Sequence, residues 1–306
     1  MVLHELIVCP TRSGRLRSVE EPLVSIVTPS LNMGRFLEET IDSVLSQDYP
    51  KIEYLVMDGG SRDETIGILQ RYTHRLKYVS APDRGQADAV NRGFAQTHGE
   101  IFAYLNADDT YLPGAIRAAV AAFGAHPDAA AVYGNAWHVD EDGKRLAAYP
   151  VERFEARNLV RRCFICQPAA FIRREALAAA GMLDSSLRFA HDYDLWIRLA
   201  RRYSMLQIDP YLATSRIHAA SKTMGETAAA MRETIGVLRH HYGYVPYNWL
   251  YGYGHHCLSG QPLALEKPRP AVSSACYSVA LGMRYNWRHP LRYCLDILTT
   301  AKKGLA

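Results

Sequence analysis

The stretch LNADDTYLP, Leu105 to Pro113, carries the most chemically loaded spacing in the chain. A strand-like run, Glu100 to Leu105, ends in Asn106, Asp108 and Asp109, and Pro113 then opens a helix-like run. Adjacent carboxylates repel, so their placement asks for compensation. Two readings stand. Asn and Asp accept turn geometry and cap helices. A divalent cation, which prefers oxygen ligands, would instead turn the repulsion into coordination. The other suggestive spacing is Cys163-x-x-Cys166. No second CxxC or His pair follows at ligand spacing, which favours two thiols near a buried strand over a zinc site.

The elements that must hold the carboxylates can be read from periodicity. PLVSIVT (22–28) is a continuous apolar run, as expected of a strand buried on both faces. GRFLEETIDSVLSQ (34–47) puts Leu37, Ile41, Val44 and Leu45 on one helical face. IEYLVMD (52–58) predicts a second strand, and Ser61 to Glu64 a capping box that opens a helix. LKYVS (76–80) and EIFAYL (100–105) are the third and fourth strands, separated by a helix over 85–97 with Ala87, Val90 and Phe94 in a stripe. Strands alternating with helices of this length predict βαβ units and a largely parallel sheet. Such sheets bind ligands beyond the C-terminal ends of their strands. Here four strands lead into TPSLN, DGGS, PDRGQAD and NADD. That shared rim weighs against a turn-only role for Asp108 and Asp109. Further on, 166–184 predicts a strand, a short helix and a Gly-ended turn, 191–203 a helix, and 204–218 two short strands.

At 306 residues, the chain is long enough for one large domain with additions or for two domains. A net charge of +4 is too mild to point to nucleic acid, so no nucleic-acid partner is expected. The six cysteines form no dense framework, which suggests a reducing, cytoplasmic compartment. No run of 18 apolar residues is present, so no spanning helix is expected. Residues 1–21 are assigned as a leader of poorly specified structure. The absence of GxGxxG after the first strand argues against a dinucleotide Rossmann site, and the absence of GxxxxGK[ST] excludes a P-loop.

Five pieces in this order, VTPSLNMGRFLEETIDSVLSQDYPKIEYLVMDGGSRDET, DRGQADAVNRGF, YLNADDTYLPGAI, CQPAAFIRR and HDYDLWIRLA, resemble family-2 glycosyltransferases of the GT-A fold. The resemblance covers roughly 22–220. It implies an α/β fold with a mostly parallel, helix-flanked sheet over 22–225, followed by a helical, aromatic-rich C-terminal extension over 226–306. It also implies inverting transfer from a nucleotide-diphosphate sugar, with UDP favoured, to a carbohydrate or lipid-linked acceptor. Carried over by motif, Thr28, Pro29, Ser30 and Asn32 match the loop around the nucleotide, and Asp58 the acid that contacts the base. Arg84 and Asp88 fall beside the donor, with Asn91 one turn on. Asn106 and Asp108 belong to donor binding, and Asp109 matches the last acid of the metal motif; its first position is Asn here, which leaves open whether Asp108 or Asp109 meets the metal, with Asp109 favoured. His218 is a second candidate ligand for Mn²⁺ or Mg²⁺, while Arg216 and Lys222 are candidates for phosphate. Asp192 matches the general base, with Asp194 the competing carboxylate and His191 where the family often has Glu.

Two other classes compete. A nucleotidyltransferase would want a Gly-rich triphosphate loop, and TPSLNMGR is poor for that. A non-catalytic nucleotide-sugar binder would not need both Asp109 and Asp192. The segment 283–304 mixes basic residues with Trp287, Leu295, Ile297 and Leu298. It is read either as lying on the inner face of an anionic membrane or as packing on the domain or a second subunit of a homodimer. The aromatic run from Tyr242 to Tyr253 is read as acceptor-cleft lining, as a satellite of the core or as a dimer contact.

Overall fold

The computed structural model describes residues 21–219, 221, 225–260 and 272–302. The expected leader, apart from its last residue, lies outside the described residues, as do Cys9 and Lys222. The first half alternates as the periodicity predicts: β1 (Val24–Ser30), α1 (Gly34–Leu45), β2 (Ile52–Asp58), α2 (Thr65–Arg71), β3 (Lys77–Ser80), α3 (Gln86–Gln96) and β4 (Ile101–Tyr104). β1 pairs in parallel with β2 and β4, and β2 with β3. Then follow β5 (Thr110–Tyr111), α4 (Ala115–Ala125), β6 (Ala129–Val139), β7 (Arg145–Ala148), β8 (Ala170–Arg173), α5 (Arg174–Ala180), α6 (His191–Ala200) and β9 (Ser204–Arg216). They complete a nine-stranded sheet in the order β3-β2-β1-β4-β8-β6-β9-β5, with β7 beside β6. Past β4 the sheet is mixed, because β8 runs antiparallel to both β4 and β6, and β5 to β9.

Sheet alternation sorts the core onto two faces. Val24, Ile26, Tyr54, Val56, Ile101 and Ala103 pack with α1, α2 and α4, while Val27, Leu55, Met57, Phe102 and Tyr104 face α3 and α6. The approach of α3 is close: a Cβ on Gly93 would lie 2.6 Å from Val27 Cγ1.

Two expectations are corrected. The predicted capping box does not form. The Ser61 hydroxyl bonds Asp58, and Asp63 accepts the Thr65 N–H at 3.1 Å where α2 begins. The two strands expected over 204–218 are one strand, β9. Its ladder with β6 steps from Tyr133–Gln207 to Asn135–Tyr211, so the Asp209–Pro210 turn signal is absorbed as a bulge that leaves proline without a ladder partner.

The C-terminal region forms α7 (Thr227–Tyr242), α8 (Tyr247–Ser259), α9 (Val272–Tyr285) and α10 (Pro290–Lys302). It shares one apolar cluster with α6: Tyr244, Val245, Tyr247, Leu250, Tyr251 and Tyr293 are buried with Tyr193, Leu195 and Trp196. The aromatic run therefore builds core. Asp296, buried on α10, accepts from Arg161 at 2.7 Å, the Tyr247 N–H at 2.7 Å and the Tyr244 hydroxyl at 3.1 Å. Tyr293 occupies the space over Gly282 and donates to the Ser278 carbonyl at 2.8 Å.

Candidate active site

The ends of β1, β2 and β3 stand level, with Ser30 beside Asp58 and Asp58 beside Ser80. Asp58 accepts from the Ser80 hydroxyl at 2.6 Å, from the Gly60 and Ser61 N–H groups at 3.1 Å, and from the Ser61 hydroxyl. It ties down the loop after β2 as a turn aspartate does. Asn32, at φ 53°, accepts the Arg62 N–H at 2.8 Å, and its own N–H donates to Ser61 Oγ at 2.7 Å. It locks the first-strand loop to the second. Ser30 Oγ is buried with no protein partner. Thr28 is not brought to this rim: its hydroxyl pairs with Tyr54 at 3.0 Å inside the core, and Pro29 is buried in the strand. Arg84 is exposed and donates to Asp88 at 2.7 Å; that bond outweighs burial and lowers the Asp88 carboxyl. Asn91 holds the backbone of Leu183 through bonds of 2.8 and 3.1 Å, so it clamps a loop.

The loop after β4 is held from every side. Asn106 donates to Asp109 Oδ2 at 3.0 Å and to Gln167 at 3.3 Å, and accepts from Gln86 at 2.6 Å. Gln167 in turn donates to the Tyr104 carbonyl at 2.6 Å. Asp109 Oδ1 accepts the Arg216 N–H at 2.9 Å. Asp108 Oδ2 lies 3.0 Å from His218 Nε2. The Arg216 guanidinium is buried and donates to the carbonyls of Asp108, Asp140 and Glu141 and to Glu39. It is a rivet, which corrects its reading as a phosphate ligand. Sequence reasoning missed Gln86 and Gln167, whose only signal was an amide facing a strand end.

The first turn of α6 carries two carboxylates with opposite surroundings. Asp194 is buried against His241 at 2.6 Å and Arg198 at 2.7 Å. Burial pushes its carboxyl up, but the His241 hydrogen bond and the Arg198 charge outweigh that and hold it below the usual range. Asp192 is half-buried, and its bond from the Tyr193 N–H at 2.7 Å does not offset desolvation, so its carboxyl is pushed up. A raised carboxylate is a better proton acceptor near neutral pH. Glu233, from α7, accepts the N–H groups of Arg188, Phe189 and Ala190 at 2.9, 2.6 and 2.7 Å. It fixes the approach to α6, and its role was not legible in the sequence.

Tyr104 joins the two carboxylate regions. Its side chain is buried, its hydroxyl has no protein partner, and burial together with the charges of Asp192 and Asp109 raises it well above the usual phenol range. The Cys166 thiol is likewise raised by burial and by both carboxylates. Asp109 and Asp192 thus bear on the same buried groups. Cys163 and Cys166 are free thiols.

Among the described residues no three His, Cys, Asp or Glu side chains converge as a closed metal cage. An open site still fits an ion that keeps few protein ligands and bridges phosphate oxygens. Desolvation and the neighbouring Asp108 push the Asp109 carboxyl well up, a strain that a divalent cation would relieve. Each Asp109 oxygen also retains a lone pair beyond its protein bond.

The sequence model of the family described as "Glycosyl transferase family 2" matches residues 25–180. An uncharacterized glycosyltransferase of Rickettsia prowazekii is 30% identical over 220 residues, covering 68% of each chain. Among solved structures, Staphylococcus aureus TarS 1-349 in complex with UDP-GlcNAc aligns with a TM-score of 0.58 at 14% identity, covering 86% of this chain and 80% of that one. The mannosyltransferase PcManGT from Pyrobaculum calidifontis, in complex with GDP-Man and Mn²⁺, aligns with a TM-score of 0.57 at 17% identity, covering 92% and 87%.

Proposed function

The chain belongs to glycosyl transferase family 2, and from that premise we propose that it moves a sugar, with inversion, from a nucleoside-diphosphate donor to an acceptor hydroxyl. Asp192 is the general base. The observation that carries this reading is that the charges of Asp109 and Asp192 both act to raise the buried Tyr104 hydroxyl. One carboxylate stands at the end of β4, where donors of such sheets lie. The other sits in the first turn of α6.

The acceptor hydroxyl forms its bond to the anomeric carbon as the bond to the diphosphate oxygen breaks, and Asp192 takes the hydroxyl proton. Base assistance contributes on the order of 10²–10⁴-fold. A single displacement needs no protein nucleophile, and the nearby thiols fit none, because burial raises Cys163 and Cys166 away from the reactive thiolate. Asp109, Asp108 and His218 are the residues that would hold Mn²⁺ or Mg²⁺. A bound ion supplies Lewis-acid stabilisation of the departing diphosphate. Asn106 and the Arg216 N–H orient Asp109 for this task.

The unpartnered Ser30 hydroxyl is the rim group best suited to meet the nucleotide. Asn32 and Asp58 act by shaping the loops around it, and Arg84 with Asp88 borders them. Thr28 and Pro29 contribute only through backbone. UDP is favoured as the carrier by family resemblance and by the UDP-GlcNAc complex of TarS, while GDP-Man in the Pyrobaculum enzyme keeps a guanosine donor in the test set. The acceptor is a carbohydrate or lipid-linked sugar, met at the cytoplasmic side.

Thermal unfolding across UDP-, GDP- and dTDP-sugars, with and without Mn²⁺, tests this. Ligand at about 100 times its Kd adds about 2.7 kcal/mol. A Mn²⁺-dependent rise with one base family is expected. A rise only with nucleoside triphosphates, accompanied by pyrophosphate release, would make the protein a nucleotidyltransferase.

A further inference from the structure

The two C-terminal helices differ sharply between their faces. The inner faces are tied down by Ser274, Ser278, Gly282, Tyr293 and Asp296. On the outer face of α9, Val272, Cys276, Val279 and Met283 recur at helical spacing and are exposed. Leu291, Leu295 and Leu298 do the same on α10, at 80%, 63% and 59% exposure, and Trp287, in the turn between the helices, is 67% exposed. Large apolar side chains left in water in such a run mark an interaction surface.

Charge identifies the occupant. Arg284 and Arg288 are exposed along the same segment, while Arg292 stacks its guanidinium 4.0 Å over the buried Tyr244 ring. The only acid between 272 and 302 is Asp296, which is buried and paired with Arg161. The outer face therefore presents leucines, a tryptophan and cations with no anion among them. A two-fold contact between identical copies of this face would bring arginine against arginine. An anionic lipid surface satisfies both parts, taking the apolar row into its acyl boundary and the cations at its headgroups. The helices have 14 and 13 residues, and none among the described residues is long and apolar enough to cross a membrane.

We propose that the outer face of α9 and α10 docks the protein in the plane of an anionic lipid bilayer, with Trp287, Leu291, Leu295 and Leu298 inserted and Arg284 and Arg288 at the headgroups. The same helices, clamped to the domain through Asp296, would carry that orientation to the site. The proposal does not depend on the chemistry proposed above.

The test is co-sedimentation of the full chain with vesicles of phosphatidylglycerol and phosphatidylethanolamine, against phosphatidylcholine alone. Binding to the anionic vesicles is expected, weakened by raised salt. The triple variant L291D/L295D/L298D should lose about tenfold or more in partitioning, and R284E/R288E a similar factor. All five positions are exposed, so folding should survive, and an unchanged melting temperature and nucleotide-sugar response would verify it. Absent partitioning into anionic vesicles overturns the proposal, as does partitioning that both variants retain. A dimer in light scattering that the triple variant makes monomeric, without vesicle binding, would assign the face to a second copy instead.

Discussion

The loop after β4 and the first turn of α6 both carry carboxylates whose charges raise the buried Tyr104 hydroxyl, yet they are held in opposite ways. In the loop, Asp109 has a protein donor on each oxygen, from Asn106 and from the Arg216 N–H, and Asp108 has His218. Asp192 on α6 has the neighbouring Tyr193 N–H and a desolvated setting. The first arrangement suits a group that must keep its shape while a strongly charged ligand arrives. The second suits a group that must accept a proton. The same contrast recurs within α6: two positions on, Asp194 is held ionised by His241 and Arg198. Environments that push two carboxyl groups apart mark different tasks.

The contrast breaks most visibly at Asp192. Asp192→Asn should lower donor turnover with acceptor by on the order of 10²–10⁴-fold while leaving nucleotide affinity by calorimetry unchanged. Asp194→Ala should do the reverse. Removing one partner of a buried ion pair should cost about 3 kcal/mol or more in denaturant unfolding, with turnover per folded molecule largely kept. Equal losses of turnover in the two variants would erase the distinction. Glu233→Ala removes the acceptor of three backbone N–H groups and should cost about 1–3 kcal/mol, read in the same unfolding measurement. Glu233→Gln, which keeps an acceptor, should recover most of it.

The pH dependence sharpens the comparison with a smaller effect. Asp192 has a raised folded pKa, so turnover should fall as pH drops through a value above the ordinary carboxylate range. Asp194 has a depressed folded pKa. The stability it contributes is present above the unfolded value and is lost only as pH falls through the folded one. An interval should therefore exist in which turnover is already lost while the melting temperature is unchanged. Parallel loss of both would contradict the assignment.

Much of this was legible in the sequence where a period is strong and local. β1 to β4, the helices between them and the rim they feed follow from alternation and apolar stripes. β6 was not legible: its start, Ala129 to Ala131, has weak strand preference, and neighbouring strands decide its conformation. Pro210 misled in the other direction, because a bulge absorbed it within β9. For the candidate site, the family resemblance pointed to Asp109 and Asp192, but not to what surrounds them. Arg216 has the character of a phosphate ligand and proves to be a buried rivet. Thr28 lies in a motif that the resemblance assigns to the donor, and it turns inward to Tyr54. Glu233 and His241 act on α6 from more than 40 residues away in sequence, and no local pattern encodes such a contact. They also bind the C-terminal helices to the site, so a cut at residue 226 would remove part of what holds α6.

The most direct test is diffraction from crystals soaked with a UDP- or GDP-sugar and Mn²⁺, with anomalous data to locate the metal. Manganese beside Asp108 and Asp109, with the anomeric carbon of the sugar open toward Asp192, is the expected result. Manganese or nucleotide bound elsewhere, or a sugar whose anomeric carbon is closed off from Asp192, would contradict it.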